Sequence, residues 1–193
     1  MRRRRRTQVE RTLETRHKLL DATIDCLYQL GYANTTTTEI AKRAKLSRGA
    51  QLHHFPTKIE LVTTAVQHLF EVREREFRAA FVDIAKADRP RATIDLLWQM
   101  ISGPIFYAWL EVLVAGRTDK TLRAAVKRVT EKFRAMVQRS FRELFPPTLP
   151  DAAPAFTFAL LEGLALERIV GGSPLERDVL DRFKALAHMV VGG

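Results

Sequence analysis

Residues 31–58 read GYANTTTTEIAKRAKLSRGAQLHHFPTK. The stretch encodes two short helices with a tight turn between them. Thr36, followed three residues later by Glu39, is a capping-box pattern in which hydroxyl and carboxylate satisfy the free amides of a helix start. It opens a helix over about residues 37–44. Ser47 suits the N-cap of a second short helix, about 48–54. Pro56 has no amide hydrogen and cannot continue that helix. Thr57-Lys58-Ile59-Glu60 repeats the capping pattern and starts a long helix to about residue 86. Ala41 and Ala44 are small where two helices must cross closely, and Ile40, Leu46 and Phe55 can seal a little core. Arg48, Gln51 and His53 remain on the polar face. Gly49 removes a side chain where the second helix can approach a neighbour closely.

Working outward, the 3.6-residue apolar period recurs and two-residue alternation does not. Leu20, Ile24, Leu27 and Tyr28 form one stripe of a helix over about 12–30, and Gly31 is expected to stop it in a left-handed conformation. Further helices are expected over about 91–101, 105–116, 119–145, 151–170 and 174–191. The breaks fall at Asp88–Arg91, at Ser102-Gly103-Pro104, at the proline-rich 146–150 and at Gly171-Gly172-Ser173-Pro174. The fold class is therefore all-α, with about nine helices. Residues 1–55 are too few to bury much alone and should lean on the long helix that follows.

The net charge of the 193 residues is +10, and its placement matters more than its size. Residues 1–60 hold 13 Lys/Arg against 6 Asp/Glu, whereas the rest is close to balanced. A basic module on a nearly neutral body is the footprint of a phosphate-backbone binder. The run Arg2–Arg6 can thread a minor groove or, more simply, serve as a tail that raises nonspecific affinity. No apolar segment follows it, which argues against a secretory leader. No run is long and apolar enough to span a membrane. The single cysteine, Cys26, excludes an internal disulfide and fits a reducing cytoplasm.

The quoted segment strongly resembles the DNA-binding module of the tetracycline-repressor (TetR) family. Gly31, Tyr32, Thr35, Thr36, Ile40, Ala41, Ala44, Ser47, Gly49, His54, Phe55 and Lys58 fit that pattern over 28 residues. Two departures stand out: Lys45 occupies a turn position often filled by glycine, and Gln51-Leu52 replaces the usual Leu-Tyr. The resemblance implies a three-helix helix-turn-helix domain over residues 1–58 and a helical ligand-binding and dimerisation domain over 59–193. The second helix of such a module enters the major groove with its N-terminal side chains at base edges. Arg48 can pair with guanine and Gln51 with adenine, with His53 a further candidate. Thr36, His54 and Lys58 are carried over from the family as phosphate contacts, and Lys45 and Ser47 complete the expected DNA-binding set.

The resemblance also implies a small-molecule pocket and a dimer interface in the C-terminal helices, and the residues there allow both. Trp98, Met100, Phe106, Tyr107, Trp109 and Phe133, with Glu111 to orient a polar group, are the candidate ligand-binding residues, and they suit a lipophilic or aromatic effector. Leu161, Leu164, Leu180, Phe183, Leu186 and Val190 are the candidate dimerisation residues, giving a four-helix interface of two helices per subunit. A homodimer would meet a palindromic operator in double-stranded DNA. The expected function is a cytoplasmic transcription regulator, by family default a repressor released by its effector. The alternative is a DNA-binding regulator without a small ligand, controlled by a protein partner. No catalytic constellation, metal-ligand spacing or cofactor motif is present, so no enzyme activity, metal or cofactor is expected.

Overall fold

The computed structural model describes residues 7–82 and 84–192; the Arg2–Arg6 run lies outside the described residues. Nine α-helices and two short 3-10 turns account for the fold, with no strand among the described residues. They are α1 (Gln8–Asn34), α2 (Thr37–Arg43), α3 (Arg48–His54), α4 (Lys58–Ala80), α5 (Arg89–Ile101), α6 (Pro104–Gly116), α7 (Lys120–Leu144), α8 (Ala153–Glu167) and α9 (Glu176–Gly192). The chain forms two compact units, and the divisions fall inside α4, inside α6 and inside α7. One unit holds the chain through Leu69 together with Tyr107–Thr130; the other holds Phe70–Phe106 and the chain from Glu131 onward.

In the first unit, α1 starts four residues earlier than the apolar stripe suggests. Thr7 and Glu10 form a reciprocal capping box there: Thr7 Oγ1 accepts from the Glu10 amide and Glu10 Oε2 accepts from the Thr7 amide at 2.7 Å. Gly31 does not end α1 as expected. Its φ of 72° and ψ of 169° kink the helix, which then resumes as far as Asn34. Leu19, Leu20, Ala22 and Cys26 of α1 pack with Ile40, Ala44 and Phe55, and Leu61 and Ala65 of α4 complete this core. Burying such side chains contributes about 1.5–3 kcal/mol for each large one, so the short α2 and α3 are held by packing and not by propensity. Cys26 is part of that core, and burial pushes its thiol pKa up, which suits packing and not reactivity.

The turn between α2 and α3 is a full Schellman cap. The Leu46 amide donates to the Ala41 carbonyl at 2.9 Å and the Lys45 amide to the Lys42 carbonyl at 3.1 Å. This geometry puts Lys45 at φ 57°, the left-handed region where glycine is usual. An L residue there is strained by about 1–2 kcal/mol, offset in part by the extra chain entropy a glycine loses on folding. Lys45→Gly is therefore expected to stabilise the protein by about 1 kcal/mol relative to Lys45→Ala, in denaturant unfolding. The comparison with alanine removes the charge from both variants and isolates the backbone term.

The second unit is built on α5, α8 and α9 with the end of α7. Ile94, Leu97 and Ile101 of α5, Leu161 and Ala165 of α8 and Leu180 of α9 are buried. Lys184 of α9 reaches Asp95 of α5 at 2.6 Å. Where α4 meets α7, Glu74 accepts from Arg78 and from Ser140 Oγ, and Arg78 also pairs with Glu143. Burial alone would raise the Glu74 pKa, but these hydrogen bonds and the charges of Arg78 and Arg139 hold it below the ordinary carboxylate value. Its contribution to stability is therefore present at neutral pH and is lost on acidification through that depressed value.

Candidate nucleic-acid interface

Helices α2 and α3 owe their entry points to side-chain caps. Thr36 Oγ1 accepts from the Glu39 amide at 3.1 Å and Ser47 Oγ accepts from the Ala50 amide at the same distance. Both caps were legible from the sequence. Each hydroxyl keeps a second lone pair and its proton on an exposed residue, so capping and phosphate contact are compatible.

Arg48 is the first residue of α3, exposed and without an ion-pair partner among the described residues. Lys45 in the turn and His53 on α3 are also exposed. His54 is half-buried, its ring edge-on to that of His53 at 5.4 Å. Burial, and then the neighbouring charges of His53 and Arg16, lower the His54 pKa. Arg16 of α1 stacks its guanidinium 4.6 Å from the Phe55 ring centre, fixing α1 to the end of α3.

Two expected contacts are corrected by the geometry. Gln51 is fully buried: its Nε2 donates to the Phe55 carbonyl at 2.6 Å, and its Oε1 has no partner. It faces the core and cannot meet a base edge. The period placed it on the polar face, but the face that α3 turns inward is Ala50, Gln51 and His54, while Leu52 stays exposed. Lys58 likewise turns inward. Its Nζ donates to the Tyr32 carbonyl at 2.6 Å and lies 4.0 Å from the Tyr32 ring centre, and burial lowers its pKa. It clasps Tyr32 and does not present its charge outward.

Tyr32 is held from its other side as well. Glu111 of α6, expected in a ligand pocket, accepts from the Tyr32 amide at 2.8 Å. Glu111 is thus a positioning residue for the kink of α1. A lone carboxylate on the apolar helix GPIFYAWLEVLVAG was the available signal, but its partner 79 residues away was not. The other ligand candidates separate: Tyr107 and Trp109 belong to the first unit, and Trp98, Met100, Phe106 and Phe133 to the second. Trp109 and Phe106 are buried, Trp98 receives the Arg168 guanidinium at 5.0 Å, and Phe133 packs between Phe70 and Phe158.

The second unit contains a cavity of about 160 Å³, lined by α5, the end of α7 and the loop after it, α8 and α9. None of the expected ligand residues lines it. Of the expected dimerisation residues, Leu161 and Leu180 are buried within their own unit. Leu186 (55% exposed) and Val190 (59%) do remain open on α9, beside Met189 (65%) and with Phe156 (61%) on α8. Phe183 and Leu164 are partly buried.

A family model described as "Bacterial regulatory proteins, tetR family" matches residues 19–65, which span α1 to the first turns of α4. The chain is 34% identical over 141 residues to the HTH-type transcriptional regulator CymR of Pseudomonas putida, covering 69% of this chain and 66% of that one. It is 31% identical over 181 residues to an uncharacterized HTH-type transcriptional regulator of Mycobacterium tuberculosis, covering 91% and 88%. Its fold is that of a putative TetR-family regulator from Rhodococcus (TM-score 0.74, 20% identity, 93% and 99% covered). It is also that of FadR from Bacillus subtilis in complex with stearoyl-CoA (TM-score 0.67, 13% identity, 92% and 98% covered). No single helix among the described residues is long and apolar enough to cross a membrane. The helix-turn-helix core, its caps and the length-spanning relatives lead to one conclusion: the chain belongs to the TetR family and is a transcriptional regulator.

Proposed function

We propose that this regulator is a cytoplasmic homodimeric repressor that reads a palindromic operator through α3 and is released by a small lipophilic or aromatic effector. The functional division we propose is residues 1–58 for DNA and 59–193 for effector binding and dimerisation. The observation that carries the reading is Arg48: an exposed guanidinium, without an ion-pair partner among the described residues, on the first turn of the second helix of a helix-turn-helix. Thr36, Ser47, Lys45, His53 and His54 are the further phosphate or base contacts of this reading. The exposed apolar residues of α8 and α9 support a dimer, since a contiguous open apolar patch favours a partner. The stearoyl-CoA complex of a protein with the same fold supports an apolar effector. Effector releases DNA only by preferring the DNA-incompetent state.

Footprinting on the DNA upstream of its own coding region, with excess random competitor, tests this reading. A protected palindrome is expected. Protection of every duplex alike would reduce the protein to a nonspecific DNA binder.

His54 adds a pH dependence. Its pKa is lowered in the free protein, and a phosphate beside it would favour the protonated ring. DNA binding then takes up a proton, so operator affinity is expected to rise as pH falls below about 6.5. His54→Asn should flatten that slope in fluorescence-anisotropy titrations between pH 5.5 and 7.5. An unchanged slope would place His54 away from the phosphates.

A further inference from the structure

Along α3 the usual order of polarity is inverted. Gln51 is fully buried, whereas its neighbour Leu52 stays 44% exposed. The exposed residues of the helix are Arg48, Gly49, Leu52 and His53, and at 3.6 residues per turn they span about 140° of its circumference. Leu52 lies between Arg48 and His53 on that arc. A single exposed leucine is ordinary on most protein surfaces. This one sits within the face that a recognition helix turns to the major groove, where bound DNA would cover it. Gly49 is a second observation. A Cβ there would meet only Ser47 Oγ, at 3.9 Å, so the packing among the described residues does not ask for glycine, the poorer helix former. Gly49 and Leu52 are neighbours on the helix surface, three positions apart. The bare backbone at Gly49 therefore leaves room for an outside surface to come close beside Leu52.

We propose that Leu52 reads a thymine through its C5-methyl group, about one or two base pairs from the guanine that Arg48 would meet. The proposal rests on the operator reading above and adds the base that the middle of α3 selects. Leucine has neither donor nor acceptor, so hydrogen bonds to phosphates and to base edges are closed to it. The thymine methyl is the apolar group that base pairs present in the major groove. The spacing follows from the helix. Side chains four positions apart have Cβ atoms about 5–6 Å from each other. A base-pair step rises about 3.4 Å, so Arg48 and Leu52 cover bases one to two steps apart. Taking the methyl out of water contributes about fourfold in affinity per half-site, at the ordinary transfer energy of one carbon. Cytosine at that place would set its amino group near Leu52 and offer no methyl. Methylation of cytosine at C5 restores the methyl at the same point of the groove, so the same surface favours 5-methylcytosine over cytosine.

The probe is duplex DNA selected from a random-sequence pool by the full chain. Each thymine of the selected duplex is replaced in turn by deoxyuridine, which lacks only the methyl, and anisotropy titrations compare the parent with Leu52→Ala. One thymine per half-site is expected to lose about fourfold on replacement in the parent and less than about 1.5-fold in Leu52→Ala. Leu52→Met, apolar and of similar volume, should keep the sensitivity. With cytosine at that position, C5-methylation should strengthen binding about fourfold in the parent and leave Leu52→Ala unmoved. Each comparison is a ratio within one protein, so a general loss of affinity or stability in the variant does not enter it. Replacement without effect at every thymine overturns the proposal. So does a sensitivity that persists undiminished in Leu52→Ala, which would give the methyl to another side chain or to the shape of the duplex. A pool from which no sequence is enriched sinks the operator reading and this proposal with it. An enriched duplex indifferent to deoxyuridine sinks this proposal alone.

Discussion

Gly31→Ala is expected to lower stability by about 2–4 kcal/mol. At φ 72° and ψ 169°, Gly31 occupies a region essentially closed to other residues, and an L side chain there costs about 1–3 kcal/mol. An added Cβ would also stand 2.8 Å from Glu111 Oε2. The carboxylate end can swing away, but in doing so it gives up the Tyr32 amide. The kink would then lose one of its two holds, the other being Lys58 on the Tyr32 carbonyl. For a chain of this length the melting temperature should fall by roughly 4–16 °C. Glu111→Ala separates the two causes. If displacement of Glu111 contributes, the double variant loses less than the sum of the single ones; if strain is everything, the losses add. A Gly31→Ala protein within about 0.5 kcal/mol of the parent would show that the kink does not require glycine.

The helices were legible because their signals are local. The caps at Thr36 and Ser47, prolines at 56, 90 and 104 and the 3.6-residue stripe each act within a few residues, and the observed helices follow them, except that α4 ends at Ala80 and not near residue 86. The Schellman turn was half legible: a glycine position was recognisable, and Lys45 occupies it at a positive φ. The start of α1 was missed although Thr7 and Glu10 spell the same capping box, because the apolar stripe begins later. What the sequence could not show is which polar groups turn inward. Gln51 and Lys58 look like surface residues by type, yet one satisfies the carbonyl that ends α3 and the other the carbonyl that follows the kink. The Tyr32 carbonyl comes within reach of Lys58 only once α1 and α4 have packed, and the Phe55 carbonyl, though local to Gln51, is buried only in the fold; a buried carbonyl without a donor is costly enough to capture a glutamine or an ammonium. The cavity was equally out of reach, since Phe141, Phe156 and Phe183 lie on three helices that meet only in the fold. An aromatic-rich segment such as 94–114 is a poor guide to a pocket, because the same residues make an ordinary core.

Arg48→Ala and Gln51→Ala are expected to part company, although sequence reading gave both residues one role. Arg48 is exposed at the start of α3, and a bidentate pair to guanine accounts for about 1–3 kcal/mol of discrimination. Its removal should weaken operator binding roughly 10–100-fold and random duplex far less, since only one charge is lost from the phosphate term. The unfolding midpoint should stay where it is, because Arg48 is exposed and makes no ion pair among the described residues. Gln51→Ala should do the opposite. The Phe55 carbonyl loses its donor inside the core, for about 1–3 kcal/mol of stability. The protein that remains folded should bind operator and random duplex in nearly the parent ratio. Paired anisotropy titrations on the two duplexes, with denaturant unfolding alongside, read both effects at once. A specificity ratio that collapses in Gln51→Ala at unchanged stability would mean that α3 turns over on DNA and exposes Gln51. A ratio that survives in Arg48→Ala would move base reading away from the N-terminal end of α3, toward His53 at its other end.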